Sequence, residues 1–359
     1  MTNWIEIAHE DDFEASAFEF ADGSILDLNL HYRMLGTLSA RRDNAVLMLH
    51  GTTGNSRQFL QPSTAEFLFA KGQPLDVEKY CIILPDAIGH GGSNKPSDEL
   101  EAAFPRYCYA DIVTAQHLLV TKGLGLSHLR LVLGTSMGGM QTWMWGSRYP
   151  DMMDALMPIA SLPERVDGRN LLWRRLLIQI VRLNEFKRDL SLPRQPRSLG
   201  LAWNLFRLMV ESPSRLSESL TCPSEADAYI RKIEDEALEV ERVNDVIWEF
   251  DASRDYDPSP NLGLIEAPLL AVNFADDELN PVELGGLERA VRRVKRGQAV
   301  TLPAGKHSFG HQTLRHAEVW RDCVQQLLKE TAKTKQLSES GRRKYSCWAT
   351  TLHRSTRRL

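Results

Sequence analysis

The sequence predicts an α/β fold: a mostly parallel central sheet flanked by helices, with a helical cap inserted into it. Three observations carry that prediction. Short, continuously apolar runs such as Ala45-Val46-Leu47-Met48-Leu49 alternate with segments of helical periodicity, as doubly covered strands and their crossover helices do. Residues 162–260 interrupt the alternation with helical, charge-rich segments and no strand pattern. The run Leu131-Val132-Leu133 passes through Gly134-Thr135-Ser136-Met137-Gly138 directly into a helical pattern, which reads as a strand turning sharply into a helix.

The elements follow in order. Around Ala17–Phe20 and Leu28–Leu35, two runs of period-2 character flank Asp22-Gly23 and predict a hairpin at the sheet edge. Ala45–Leu49 is a buried strand ending in the glycine-rich turn His50-Gly51-Thr52-Thr53-Gly54-Asn55. Cys81–Pro85 is the next, and it leads into Asp86-Ala87-Ile88-Gly89-His90-Gly91-Gly92-Ser93. That loop lacks the glycine patterns that cradle phosphate, so it reads as a structural turn with His90 a hydrogen-bonded scaffold residue. Tyr109–Gly123 has helical spacing with Gly123 as its cap. A strand over Leu129–Leu133, a helix over Met137–Arg148 stopping before Pro150, and a strand over Ala155–Ala160 follow.

In the interruption, Arg169–Phe186, Gly200–Val210 and Glu225–Trp248 read as helices, with Pro193, Pro196, Pro213 and Pro223 at the joins. The α/β pattern resumes with a strand over Ala267–Phe274, a helix over Val282–Arg296, a strand over Ala299–Leu302 and a helix over Leu314–Leu328. The expected organisation is a core over residues 13–161, a cap over 162–260, and the rest of the core over 261–330. A basic tail, 331–359, loses periodicity and is expected to be disordered.

The 359 residues suffice for one large core carrying an insertion. A hydrophobic fraction of 43% and a charged fraction of 25% are those of a soluble globular protein. A net charge of −4 argues against nucleic acid or an anionic membrane as partner. No apolar run has the length of a membrane span, and the N-terminus lacks the regions of a signal peptide. Cys81, Cys108, Cys222, Cys323 and Cys347 are scattered and without metal-ligand spacing, which predicts free thiols in a reducing cytoplasm. A homodimer is an assembly open to such a chain.

Gly-Thr-Ser-Met-Gly alone is a weak pattern; its place between strand and helix gives it weight. The turn exposes the Ser136 hydroxyl, and the helix behind it offers N–H groups, Met137 first, to a developing oxyanion. The turn after Ala45–Leu49 is positioned to supply a second backbone donor, assigned to Thr52 with Thr53 as runner-up. A serine hydroxyl needs an adjacent base, imidazole suits that role, and a carboxylate holds the imidazole in the right tautomer. Acids (Asp276, Asp277) stand in the loop after the Phe274 strand, and histidines (His307, His311) in the loop after Leu302. This Ser…Asp…His order, each residue in a loop directly after a strand, is that of the α/β-hydrolase fold. His316 lies inside the final helical pattern, and Gly310 leaves His311 free to aim its ring inward, which favours His311. His307 and His311 stand four apart but have no carboxylate partner of a metal motif, so no metal is expected. The local sequence does not decide between Asp276 and Asp277.

Gly134-Thr135-Ser136-Met137-Gly138-Gly139-Met140-Gln141 closely resembles the elbow of the homoserine O-acetyltransferase family of α/β-hydrolase proteins. The resemblance extends over about residues 13–330, through His50-Gly51-Thr52-Thr53-Gly54, Asp277-Glu278-Leu279-Asn280-Pro281 and Gly310-His311. It implies Asp277 as the acid, four residues before the loop proline, and His311 as the base, after the glycine. The chain departs from the acetyltransferases after Cys81–Pro85. Their long glycine- and cysteine-containing segment is replaced by Asp86-Ala87-Ile88-Gly89-His90-Gly91-Gly92-Ser93-Asn94-Lys95-Pro96, similar to the loop of ordinary hydrolases. Phe104–Tyr107, Gly168–Arg175 and Asp251–Pro260 resemble a hydrolase-like branch of the same family.

The expected activity is therefore cleavage of a small-molecule carboxylic ester by a Ser136-His311-Asp277 triad, with the N–H groups of Thr52 and Met137 as oxyanion hole and no cofactor. The alternative is acyl-CoA-dependent O-acyl transfer with the same triad. A non-catalytic binding protein is the third reading.

Overall fold

The computed structural model describes residues 2–183, 197–240 and 242–332. After a short α1 (Trp4–Ile7), β1 (His9–Glu19) and β2 (Ile25–Leu35) form an antiparallel hairpin at one sheet edge. The rest of the sheet is β3 (Ala45–Leu49), β4 (Cys81–Pro85), β5 (Leu131–Thr135), β6 (Leu156–Ile159), β7 (Leu269–Phe274) and β8 (Gly297–Leu302). These pair in parallel, β2 joins β4 antiparallel, and the order across the sheet is β1-β2-β4-β3-β5-β6-β7-β8.

Every residue of β3, β4, β5, β6 and β7 is buried, so each strand needs cover on both faces. Alternation along the strands divides their side chains between two apolar layers. Val46, Met48, Ile82 and Leu133 face α2 (Pro62–Leu68) and the final helix α11 (317–332), whose Trp320 and Val324 pack there. Ala45, Leu47, Ile83 and Val132 face the opposite layer, where α3 (Tyr109–Leu118) contributes Val113 and α4 (Met137–Arg148) contributes Trp143 and Trp145.

Between β6 and β7 stand α5 (Gly168–Arg182), α6 (Arg197–Val210), α7 (Pro213–Ser219), α8 (Pro223–Val240) and α9 (Val243–Asp251). They enclose an apolar cluster of their own, with Trp173, Leu177, Trp203 and Phe250 buried in it, and Leu279 from the loop after β7 joins them.

The strand order positions the site. β4 and β5 flank β3 on opposite sides, so chain progression across the sheet reverses at β3 and a crevice opens at the carboxyl ends. The turns after β3 and β5 emerge there side by side, and the loops after β7 and β8 join them.

Several expected boundaries move. β1 starts at His9, ahead of residue 13, because its first four residues are exposed and carry no apolar alternation. Trp4 is also part of the core: it packs edge-on to Phe69 and donates from Nε1 to Glu66 at 3.0 Å. β5 starts and ends two residues later than Leu129–Leu133 suggests, and its pairing with β3 runs through Gly134. The helix from Tyr109 widens into a π turn over Leu119–Gly123. The segment Glu225–Trp248 is two helices, α8 and α9, parted at an extended Arg242, and α7 adds a helix that the periodicity did not announce. The expected Val282–Arg296 helix is a 3-10 turn, a left-handed Gly285, and the short α10 (Gly286–Val291). The final helix starts at residue 317, after a 3-10 turn over Gln312–Arg315. Pro193, Pro196 and Phe186 lie outside the described residues, as does the tail from 333 onward.

Candidate active site

At the end of β5 the backbone of Ser136 is held at φ 54° and ψ −115°, a strained conformation for a residue with a side chain. Its neighbours explain how the turn can be so tight. A Cβ on Gly134 would sit 2.1 Å from the Gly138 carbonyl oxygen, and one on Gly138 would sit 2.0 Å from that of Leu49. Strand β5, helix α4 and strand β3 therefore meet at backbone contact, which only glycine permits. Met137 opens α4 and is buried directly behind the serine.

Ser136, His311 and Asp277 form one hydrogen-bonded chain. The Ser136 Oγ hydroxyl donates to His311 Nε2 at 2.8 Å, and His311 Nδ1–H donates to Asp277 Oδ2 at 2.8 Å. The carboxylate accordingly selects the Nδ1–H tautomer and leaves Nε2 free to accept. Asp277 also accepts from Leu279 N–H at 2.9 Å and from Asn280 Nδ2 at 2.8 Å. Burial would raise this carboxyl, but the His311 ring beside it and these hydrogen bonds hold it below the usual carboxylate range. Asp276, the other local candidate, turns away and accepts the Gly310 N–H at 2.9 Å. Gly310 itself has φ 60°, and a Cβ there would lie 2.8 Å from the Ser212 nitrogen. The residue that aims His311 inward is thus fixed as glycine by both conformation and space.

The turn after β3 is pinned from two sides. The Gly51 carbonyl accepts from His50 Nδ1 at 2.8 Å and from Gly54 N–H at 3.0 Å. Because the peptide is planar and trans, holding that carbonyl directs the Thr52 N–H the opposite way. The next carbonyl, Thr52, is held by His90 Nε2 at 2.8 Å. Gln58 ties this turn to the elbow: its Oε1 accepts from Gly51 N–H at 3.1 Å and its Nε2 donates to Thr135 Oγ1 at 2.8 Å. His50 and His90 are scaffold, both fully buried. Burial pushes the His50 ring down to about 4, with His90 adding repulsion while Asp86 and the Gly51 carbonyl pull the other way. Burial likewise lowers His90.

Thr52, Thr53, Gln58, Ser136 and His311 line a cleft of about 390 Å³. Its far wall is Trp173 and Arg174 of α5, Phe206 of α6, Phe250 of α9 and Leu279. His307 is exposed, and His316 sits before α11 with its ring stacked on Phe309 at 3.9 Å. Gln58 carries no motif, and Asn280 and Arg174 lie in segments that carry the resemblance but have no role assigned by it. Cys81, Cys108, Cys222 and Cys323 are free thiols. Among the described residues, no group of three His, Cys, Asp or Glu side chains is arranged to hold a metal ion, and no helix is long and apolar enough to cross a membrane.

Residues 44–307 match the family model described as alpha/beta hydrolase fold. The chain belongs to that family. Among curated proteins it is similar to the homoserine O-acetyltransferase of Chlorobaculum parvum, 35% identical over 159 residues, 42% of each chain. A homoserine O-succinyltransferase of Magnetococcus marinus is 33% identical over 186 residues, 47% of each chain. These matches span less than half the length of the curated relatives. Among solved structures, an acetylester hydrolase of Corynebacterium glutamicum superposes with a TM-score of 0.78 at 19% identity, covering 89% of this chain and 96% of that one. The homoserine O-acetyltransferase of Bacillus anthracis superposes at 0.77 and 18%, covering 90% and 98%. This α/β-hydrolase thus shares its architecture with esterases and acyltransferases alike.

Proposed function

We propose that this α/β-hydrolase is a serine ester hydrolase with Ser136 as nucleophile, His311 as base and Asp277 as its orienting acid. The observation that carries the reading is the unbroken chain from Ser136 Oγ through both ring nitrogens of His311 to the buried Asp277, at 2.8 Å for each link. His311 takes the Ser136 proton as Oγ attacks the ester carbonyl. The tetrahedral oxyanion is held by the N–H groups of Thr52 and Met137. Collapse returns the proton to the departing alcohol and leaves an acyl-serine. His311 then deprotonates a water that attacks it, and the acid is released with Ser136 regenerated.

The printed names of the curated relatives favour a second reading, transfer of the acyl group from acyl-CoA to an alcohol on the same three residues. The loop after β4, Asp86–Pro96, supports hydrolysis by its likeness to ordinary hydrolases. One assay separates the readings: an aryl acetate is offered to the pure chain, beside acetyl-CoA with and without homoserine. Ester cleavage lost in Ser136→Ala is expected; homoserine-dependent release of CoA would overturn the preference. Failure of a fluorophosphonate to label Ser136 in folded protein would leave only a non-catalytic binding protein.

A further inference from the structure

Arg174 presents a charge without a counter-charge. It lies on α5 in the wall of the cleft, only 5% exposed. Arginine is rarely so buried without an acidic partner. Its neighbour shows the ordinary arrangement: Arg175, half-exposed, pairs with Asp251 at 2.8 Å, and Arg106 reaches the same carboxylate. Among the described residues, no carboxylate lies within ion-pair distance of Arg174; its nearest partners are neutral. Nε donates to Asn170 Oδ1 at 2.9 Å, and Nη1 reaches Ser253 Oγ at a long 3.5 Å. The guanidinium lies 4.9 Å from the Trp173 ring centroid and 6.0 Å from that of Phe250. Guanidinium has five N–H donors; with the Tyr109 hydroxyl also beside it, these contacts leave about two with no protein acceptor.

The surroundings are built rather than slack. Asn170 Oδ1 also accepts from Trp173 Nε1 at 3.1 Å, which fixes the amide that orients the guanidinium. The Tyr109 hydroxyl is fully buried among Arg174, Thr52 and Ser253 and interacts with all three, a further neutral neighbour for the guanidinium. The other charged residue lining the cleft is Arg315, exposed at the rim. Arg207 repels it, while Glu211, paired with Arg207 at 2.6 Å, attracts it. Among the described residues no acid lines the cleft. A chain of net charge −4 thus presents two arginines and no acid to this cleft.

The geometry points to a substrate that carries its own anion: a small ester with a free carboxylate, bound by Arg174 while its ester carbonyl lies at Ser136. A carboxylate accepts two parallel N–H bonds from a guanidinium and supplies the charge the protein withholds. The inference rests on the hydrolase reading for its reaction but not for its binding site.

The test uses ester pairs that differ in charge and little else. Methyl hydrogen succinate is compared with methyl succinamate, and 4-acetoxybutanoate with 4-acetoxybutanamide; the first pair carries the charge on the acyl side, the second on the alcohol side. In at least one pair the acid is expected to have a kcat/KM tenfold or more above that of the amide. That ratio should fall at least tenfold in Arg174→Met and take an intermediate value in Arg174→Lys. A residue that only braces α5 against α9 would lower both members together and leave the ratio unmoved. A ratio near one in both wild-type pairs, or one unchanged in Arg174→Met, overturns the proposal. Calorimetric titration of Ser136→Ala with succinate reads the site without turnover, with Arg174→Lys added to it as the milder variant. Saturable binding weakened tenfold or more by that change is expected, and no saturable binding overturns the proposal. Succinate binding with no ester cleaved by the wild type would remove the hydrolase reading alone, whereas cleavage of acid and amide at equal rates would remove this inference alone.

Discussion

Asp276 and Asp277 are adjacent in sequence and chemically identical, yet they are placed for different work. Asp277 reaches the His311 ring, and Asp276 holds the Gly310 backbone. Asp277→Asn leaves an amide that no longer enforces the Nδ1–H tautomer, and ester turnover is expected to fall by roughly 10³–10⁴. Asp276→Asn keeps an oxygen able to accept from Gly310, so kcat should change less than about tenfold. Steady-state kinetics on one acetate ester measures both; equal losses would sink the assignment. This contrast also marks what the sequence can express at the scale of one residue. Ser136 and His311 stand beside glycines that only a tight turn or a positive φ explains, so the residues announce themselves. Neither aspartate has such a neighbour, and the resemblance of the Asp277–Pro281 loop was needed to separate them. Gln58 had no signal at all, because its role is to touch Thr135, 77 positions away.

At the scale of elements, β3, β4 and α4 coincide with their apolar or helical runs, since a strand buried on both faces must be apolar at every position. The segment between β6 and β7 was less legible. Nothing in the sequence at Arg242 breaks a helix, and periodicity continues on both sides. The break is a tertiary choice that lets α9 place Phe250 in the apolar cluster while Asp245 accepts from Ser97 N–H at 2.8 Å. In Val282–Arg296 the break lies at Gly285-Gly286, inside an apolar periodicity that runs across it. The helix that does obey its pattern, α4, offers a sharp test. An alanine in a helix is ordinarily about 1 kcal/mol better than glycine. Gly138→Ala should reverse that sign, because its Cβ would lie 2.0 Å from the Leu49 carbonyl and 2.8 Å from that of His50, both backbone atoms. A loss of about 1–3 kcal/mol or more is expected by urea denaturation. Gly305→Ala, with nothing within 4 Å of the added Cβ, should be nearly neutral. If both variants were neutral, the close contact of α4 with β3 would be wrong.

For the molecule as a whole, the price of a rigid turn after β3 is acid sensitivity. His50 accepts the Ala87 N–H at Nε2, 3.0 Å away, while donating from Nδ1 to Gly51, so the folded ring has no place for a second proton. Burial holds its pKa at about 4, against an ordinary value of 6.5. The unfolded chain therefore binds a proton that the folded chain refuses once the pH drops below about 6.5. The stabilising contribution is fully present above that value and is lost progressively as pH falls toward 4. Each such ring contributes a slope of up to roughly 1.4 kcal/mol per pH unit. His90, lowered in the same direction by burial, steepens the loss, and the nearby Asp86 carboxylate tempers it at His50. Denaturation measured at intervals from pH 7.5 to 4.5 should show this decline, and His50→Gln should flatten it whatever its stability at neutral pH. Parallel curves for the two proteins would mean that His50 titrates alike folded and unfolded, and that the Gly51 carbonyl is held by something other than a ring kept neutral.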